Sequence, residues 1–182
     1  MLEEIIVAGF GGQGVLSLGM TLAYAAMIED KEITWMPSYG PEMRGGTANC
    51  IVILSDKAIS SPIVDTYTTA IVLNQPSMDK FASHVLPGGL LIYESGTITK
   101  PCTRPDIDII GIPAATEALA MKNSKTMNMI LLGAYLHKKP VVTLEAVKEA
   151  LTQVLPEKYH KLIPINLEAI QRGKKLVSEV LV

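Results

Sequence analysis

The sequence predicts an α/β fold, a three-layer α/β/α sandwich around a mixed, mainly parallel sheet. Three observations predict it. Apolar runs of strand length alternate with stretches of helical periodicity along most of the chain, the pattern of strands joined by crossover helices. The first apolar run, Ile5-Ile6-Val7-Ala8, leads into Gly9-Phe10-Gly11-Gly12-Gln13-Gly14 and directly into a helical pattern, which makes a Rossmann-like first βα unit. The connection after the second run, Pro37 to Gly46, is too short and too rich in glycine and proline to hold a crossover helix, so the second and third strands are antiparallel or not adjacent and the sheet is mixed.

Each element has a local reason. Val15, Leu18, Leu22 and Ala26 recur at helical spacing and define the first crossover helix. The second strand covers Ile33 to Met36 and the third Thr47 to Leu54; Ser60-Ser61-Pro62 breaks the pattern, and Ala70 to Leu73 is a short buried strand. Asn74, with Pro76 close behind, opens a helix running to about Leu86, and Pro87-Gly88-Gly89 is a turn before the strand Leu90 to Tyr93. Asp106 and Asp108 alternate with Ile107 and Ile109, as on a sheet edge, in a strand from Ile107 to Ile112. Helices follow from Ala114 to Met121 and from about Lys125 to His137. Thr143 is the expected N-cap of a helix over Leu144 to Leu155, and Asn166 that of the last one, Leu167 to about Leu181.

The totals bound the function. At 182 residues the chain reads as a single module, 1–182, because domains commonly hold about 100–200 residues. Charged residues make up 19%, below the usual figure of about 25%. With a mean hydropathy of +0.30, this points either to a surface covered by a partner or to a well-filled three-layer core. A net charge of -2 gives no general attraction to nucleic acid or to anionic membranes. No apolar run is long enough to span a bilayer, and the acids Glu3 and Glu4 replace the basic start of a signal peptide, so the expected location is cytoplasmic. Cys50 and Cys102 are too few to hold an iron–sulfur cluster, and His84, His137 and His160 lack metal-ligand spacing.

Two stretches carry the candidate chemistry. Gly9, Gly11 and Gly14 have the G-x-G-x-x-G spacing, and with Gly12 and Gln13 they form a turn whose following helix start suits an anion. The acid that a dinucleotide fingerprint places after the second strand is missing: Glu29, Asp30 and Glu32 all precede that strand. The second stretch, Ser38 to Gly46, follows the second strand and so lies at the sheet edge where the glycine turn lies. Tyr39, Glu42, Arg44 and Gly45 can therefore face the same space, or Glu42 and Arg44 can pair and simply hold the loop.

Taken together, Gly9-Phe10-Gly11-Gly12-Gln13-Gly14 and Tyr39-Gly40-Pro41-Glu42-Met43-Arg44-Gly45-Gly46-Thr47-Ala48-Asn49-Cys50 resemble the gamma subunit of 2-oxoacid:ferredoxin oxidoreductases and the gamma domain of pyruvate:ferredoxin oxidoreductase. Asn74-Gln75-Pro76 and Thr126-Met127-Asn128-Met129 extend the resemblance over nearly the whole chain. The resemblance implies a subunit, inactive alone, of a complex that oxidatively decarboxylates a 2-oxoacid, transfers the acyl group to coenzyme A and reduces ferredoxin. It implies thiamine diphosphate and magnesium between alpha and beta subunits, and iron–sulfur clusters on beta or on a ferredoxin-like delta subunit. It implies no catalytic residue and no metal in this chain. The expected contacts to coenzyme A, or to the docking surface, are Gly9, Gly11, Gly12, Gln13, Gly14, Tyr39, Glu42, Arg44 and Gly45. The motifs look more like the 2-oxoglutarate and branched-chain members than the pyruvate members, with 2-oxoglutarate favoured. The rival readings are a free-standing NAD(P)-dependent oxidoreductase and a nucleotide-binding regulatory module.

Overall fold

Ile5, Ile6, Val7 and Ala8 alternate in pointing to opposite faces of a strand and all four are buried, so this strand has to lie inside a sheet covered on both sides. The computed structural model, which describes residues 1–40 and 46–180, shows this. Its sheet has six strands: β1 (Leu2–Phe10), β2 (Glu32–Tyr39), β3 (Thr47–Ser55), β4 (Tyr67–Val72), β5 (Val85–Glu94) and β6 (Asp108–Ile112), in the order β2-β3-β1-β4-β5-β6. Strands β1, β4, β5 and β6 are mutually parallel, while β3 is antiparallel to both β1 and β2. The sheet is therefore mixed, with the second and third strands adjacent and antiparallel. β2 runs in the same direction as β1, so the carboxyl ends of the two strands share one edge of the sheet.

The two faces are covered unequally. Ile5, Val7, Val52, Leu54, Ile71 and Ile92 face a thick layer made by α1 (Val15–Ile28), α3 (Ala114–Ala120), α4 (Met127–Lys138), α5 (Leu144–Val154) and α6 (Ile163–Val180). Ile6, Ala8, Ala70, Val72 and Leu91 face a thin one, made by α2 (Gln75–Phe81) and the apolar residues Ile98 and Ile107. α4 is buried from Asn128 to Leu136 because it lies between the sheet and α6, which explains why its sequence is apolar all round. At the far end of α4, Lys139 pairs with Glu3 at 2.9 Å, and Thr68 Oγ1 donates to the same carboxylate, which ties α4, β1 and β4 together.

Four boundaries differ from the sequence expectation. The expected helix from Asn74 to Leu86 stops at Phe81, passes through a 3₁₀ turn at Ala82–His84 and becomes β5 at Val85. Arg104 accounts for this: its guanidinium donates to the carbonyls of Ala82 and Val85 at 3.0 and 2.7 Å, so it takes up backbone acceptors that a continuing helix would use. Pro87-Gly88-Gly89 is consequently not a turn between elements but an irregular opening of β5, with Gly88 at φ +75° and the pairing register shifted opposite Tyr67 and Thr69. The last helix starts at Ile163, not after Asn166; Pro164 occupies its first turn, where a missing N–H costs nothing, and Asn166 donates from Nδ2 to the Leu162 carbonyl. The second strand does not end before Pro37 but continues to Tyr39, which proline permits because β2 is an edge strand. The edge strand expected over Ile107 to Ile112 is β6, the other edge of the sheet.

The two cysteines lie on opposite faces of the sheet, Cys50 in the thick core and Cys102 against the thin one. Burial pushes the Cys50 thiol up to about 12, against smaller opposing effects of the Trp35 ring N–H and the Gly19 backbone. At pH 8 its reactive thiolate is then only about one part in ten thousand. Titration of the folded protein with a disulfide reagent at pH 8 should therefore modify no more than one thiol, with the second released only in denaturant; rapid modification of both in the folded state would contradict the buried placement of Cys50.

Candidate functional site

β1 ends at Phe10 and α1 begins at Val15, leaving four residues to reverse the chain. The reversal is held by Gln13. Its Oε1 accepts from the Phe10 N–H at 2.6 Å and its Nε2 donates to the Leu73 carbonyl at 3.2 Å, so the side chain joins the ends of β1 and β4. Gly12 and Gly14 take φ +98° and +79°, a conformation that side chains disfavour. Gly14 is the N-cap of α1 and has no side chain to cap it, so the first-turn amides are left without a side-chain acceptor. Behind the turn, Asn128 at the start of α4 donates from Nδ2 to the Gly14 carbonyl at 3.1 Å. A Cβ on Gly14 would lie 2.5 Å from that amide nitrogen, so the close approach itself requires glycine.

Two cavities flank this first turn of α1. The larger, about 680 Å³, lies between α1 and the β2–β3 edge, with Phe10, Gly12, Leu16, Trp35, Pro37 and Tyr39 on its walls. Trp35, Pro37 and Tyr39 share it because alternate residues of a strand point to one face. Tyr39 is 61% exposed, a large aromatic ring standing at the rim. The smaller cavity, about 320 Å³, has an apolar floor of Met129, Leu155 and Leu162 and a polar rim that includes Ser17 and Lys125. Ser17 lines both.

The structure brings part of the expected site together. Gly11, Gly12, Gly14 and Tyr39 line the larger cavity, and the Gly11 N–H donates to the Gly46 carbonyl at 2.8 Å, which places the end of the second loop beside the first turn. Gly9 sits behind the turn, where an added Cβ would meet Gln13 Oε1 at 2.7 Å. Gln13 spends both ends of its amide within the scaffold, which makes it a brace of the turn. Glu42, Arg44 and Gly45 lie outside the described residues. Sequence reasoning did not find Trp35, Leu16 or the Asn128 clamp. The period-2 placement of Trp35 before Pro37 and Tyr39 was the available signal for the first; nothing local assigns Asn128 its partner, which is 114 residues away.

The arrangement has the chemistry of a binding site. Uncapped amides and the positive end of α1 favour an anion, and the apolar walls beside them favour an adjoining uncharged portion of the ligand. Among the described residues no group of three His, Cys, Asp or Glu side chains is placed to hold a metal ion, and no helix is long and apolar enough to cross a membrane.

Residues 4–176 match the protein family described as pyruvate ferredoxin/flavodoxin oxidoreductase. The VorA subunit of ketoisovalerate oxidoreductase from Methanothermobacter thermautotrophicus is 38% identical over 177 residues, which are 97% of this chain and 36% of that subunit. The chain thus spans about a third of that relative's length. Among solved structures, the gamma subunit of a keto/oxoacid ferredoxin oxidoreductase from Geobacter sulfurreducens superposes with a TM-score of 0.80 at 30% identity, over 97% of this chain and 99% of that one. The 2-oxoglutarate:ferredoxin oxidoreductase of Magnetococcus marinus, solved with 2-oxoglutarate, coenzyme A and succinyl-CoA bound, superposes with a TM-score of 0.88 at 26% identity, over 98% of this chain and 31% of that one.

Proposed function

The chain belongs to the pyruvate ferredoxin/flavodoxin oxidoreductase family, and from that premise we propose that it is the gamma component of a 2-oxoacid:ferredoxin oxidoreductase and supplies part of the coenzyme A cleft. The complex converts a 2-oxoacid and coenzyme A to an acyl-CoA and carbon dioxide, and the two electrons released pass to ferredoxin. The observation that carries the reading is the uncapped start of α1 opening into an apolar cavity. The first-turn amides suit the diphosphate of coenzyme A, and the walls formed by Phe10, Leu16 and Trp35 suit its pantetheine arm. Glu42, Arg44 and Gly45, which follow Tyr39 in sequence, are proposed to complete the cleft or its contact with the alpha subunit.

Thiamine diphosphate, magnesium and the iron–sulfur clusters supply decarboxylation and electron transfer on the alpha, beta and delta partners. The donors among the described residues do not fit them. Cys50 and Cys102 are separated by the sheet, and the described residues offer no cluster of metal-binding side chains. The contribution of this chain is to hold and orient one substrate. For the 2-oxoacid, the resemblance of the motifs favours 2-oxoglutarate, while the 38% identity to a ketoisovalerate subunit favours a branched-chain acid. Assay of the complex with both acids at matched concentration decides between them.

The cleft is tested with Gly12→Asp, which puts a carboxylate where the diphosphate is proposed to sit; a Cβ there meets nothing within 4 Å but φ is +98°, so Gly12→Ala, which carries the same backbone strain without the charge, is the control. In the assembled complex Gly12→Asp should raise the KM for coenzyme A by about tenfold or more through like-charge repulsion, with the KM for the 2-oxoacid unchanged. An unaltered KM for coenzyme A together with loss of the co-purifying subunits would assign the loop to docking instead. Binding of NAD(P) by the isolated chain would favour the rival dehydrogenase reading.

A further inference from the structure

Among the buried residues of α4, Asn128 is the only one with a side-chain amide, and both ends of that amide are spent on backbone. Its Oδ1 accepts from the Met129 N–H at 3.0 Å, which leaves Nδ2 to face the Gly14 carbonyl at 3.1 Å. That carbonyl already accepts the first helical bond of α1, from the Leu18 N–H at 2.9 Å. It therefore needs no second donor to be satisfied in the interior, and a buried amide adds little stability over an apolar group of the same shape. The contact calls for a reason other than burial.

What the second bond fixes is a direction. A peptide unit is planar and trans, so its C=O and N–H point opposite ways. Holding the Gly14 carbonyl toward Asn128 thus holds the Val15 N–H, the first amide of α1, pointing away from it; Val15 and Gly14 both line the larger cavity. Glycine is the residue after which a peptide plane turns over most readily, because both signs of φ are open to it, and Gly12 and Gly14 already sit at positive φ. Gln13 braces the strand side of the turn, between Phe10 and Leu73, but it does not touch the Gly14–Val15 peptide. Asn128 holds that side from α4, a helix packed between the sheet and α6. We propose that Asn128 is a positioning residue, which keeps the Gly14–Val15 peptide in the orientation that aims the first amide of α1 at the anionic ligand; this rests on the coenzyme A reading above. Without the bond the peptide samples orientations that do not bind, and the apparent affinity falls with the fraction that stays competent.

The test is steady-state kinetics of the assembled complex carrying Asn128→Asp, which keeps the shape but sets an acceptor against the Gly14 carbonyl, or Asn128→Ala, which removes the donor without that repulsion. The KM for coenzyme A should rise by about tenfold or more in Asn128→Asp and by about three- to tenfold in Asn128→Ala, with kcat and the KM for the 2-oxoacid unchanged. Gly133→Ala is the control for lost stability. Its Cβ would land on the Ile170 carbonyl, further along α4, so it strains the same helix without touching the turn and should leave the KM for coenzyme A as it was. The proposal is overturned if an Asn128 variant assembles with an unaltered KM for coenzyme A, or if Gly133→Ala raises that KM as much. It is also overturned if neither Asn128 variant assembles, which would make the contact a condition of folding. Where the Asn128 variants leave the KM unaltered, Gly12→Asp separates two failures. If it still raises the KM for coenzyme A above that of Gly12→Ala, only the role of Asn128 fails; if it does not, the coenzyme A reading of the α1 start fails with it.

Discussion

Replacing Gly133 or Gly173 by alanine is expected to destabilise the protein by about 3 kcal/mol, although alanine is the better helix former by roughly 1 kcal/mol. The reason is the crossing of α4 and α6. A Cβ on Gly133 would land on the carbonyl of Ile170, and one on Gly173 on the carbonyl of Ile130; both are backbone atoms that no rotamer change can move aside. The two helices approach this closely because neither has a side chain at the crossing, and Ile130, Ala134, Ile170 and Val177 fill the space beside it. Thermal unfolding should register a fall of about 6–12 °C for either variant. The double variant should cost less than the sum, since the first replacement already forces the helices apart. A melting temperature equal to or above that of the unaltered protein would show that α6 can shift at little cost, and that the glycines answer to some other requirement.

Glu94→Gln is the second large effect expected, a loss of about 2–3 kcal/mol, with Glu94→Ala costing more. Glu94 ends β5 and is fully buried. Its two oxygens accept from the N–H groups of Gly96 and Thr97 at 3.0 and 2.7 Å, from Thr97 Oγ1 at 2.6 Å and from the Ala115 N–H at 3.1 Å. A carboxylate taken out of water is tolerable only with such a set of donors, and the set in turn needs both oxygens. Glutamine replaces one oxygen by a donor, which faces either the Thr97 or the Ala115 amide; alanine leaves all of them without a partner. Because these groups hold the segment after β5 and the start of α3, the variants should also be cut sooner by protease between residues 95 and 107. Unchanged stability with unchanged cleavage in Glu94→Gln would mean that the carboxylate's second oxygen is dispensable.

Most of the architecture was legible from periodicity. The strand runs, the first βα unit, the edge position of Asp108 to Ile112 and the caps Asn74 and Thr143 are local features, and local sequence is enough to specify them: Asn74 Oδ1 accepts from the Ser77 N–H at 2.9 Å and Thr143 Oγ1 from the Ala146 N–H at 3.2 Å. Where the reading of α2 went astray, a distant residue had intervened. Arg104 stops α2 from 19 and 22 residues away, and the spacing of Phe81, Ala82 and Val85, which looks helical, serves instead to turn the same apolar side chains onto the thin face of the sheet.

The site divides in the same way. That a glycine turn ends the first strand and opens a helix suited to an anion follows from residues 5 to 18 alone, because positive φ and an uncapped helix start are properties of a few neighbouring residues. The motifs also carried the resemblance to a family that the comparisons then showed. Only the tertiary structure decided what surrounds the turn. Sheet order brought Trp35 and Tyr39 to one side of α1, and helix packing brought Asn128 and Lys125 to the other. Those placements depend on contacts between elements far apart in the chain, which hydrophobic burial selects collectively and no short stretch of sequence encodes.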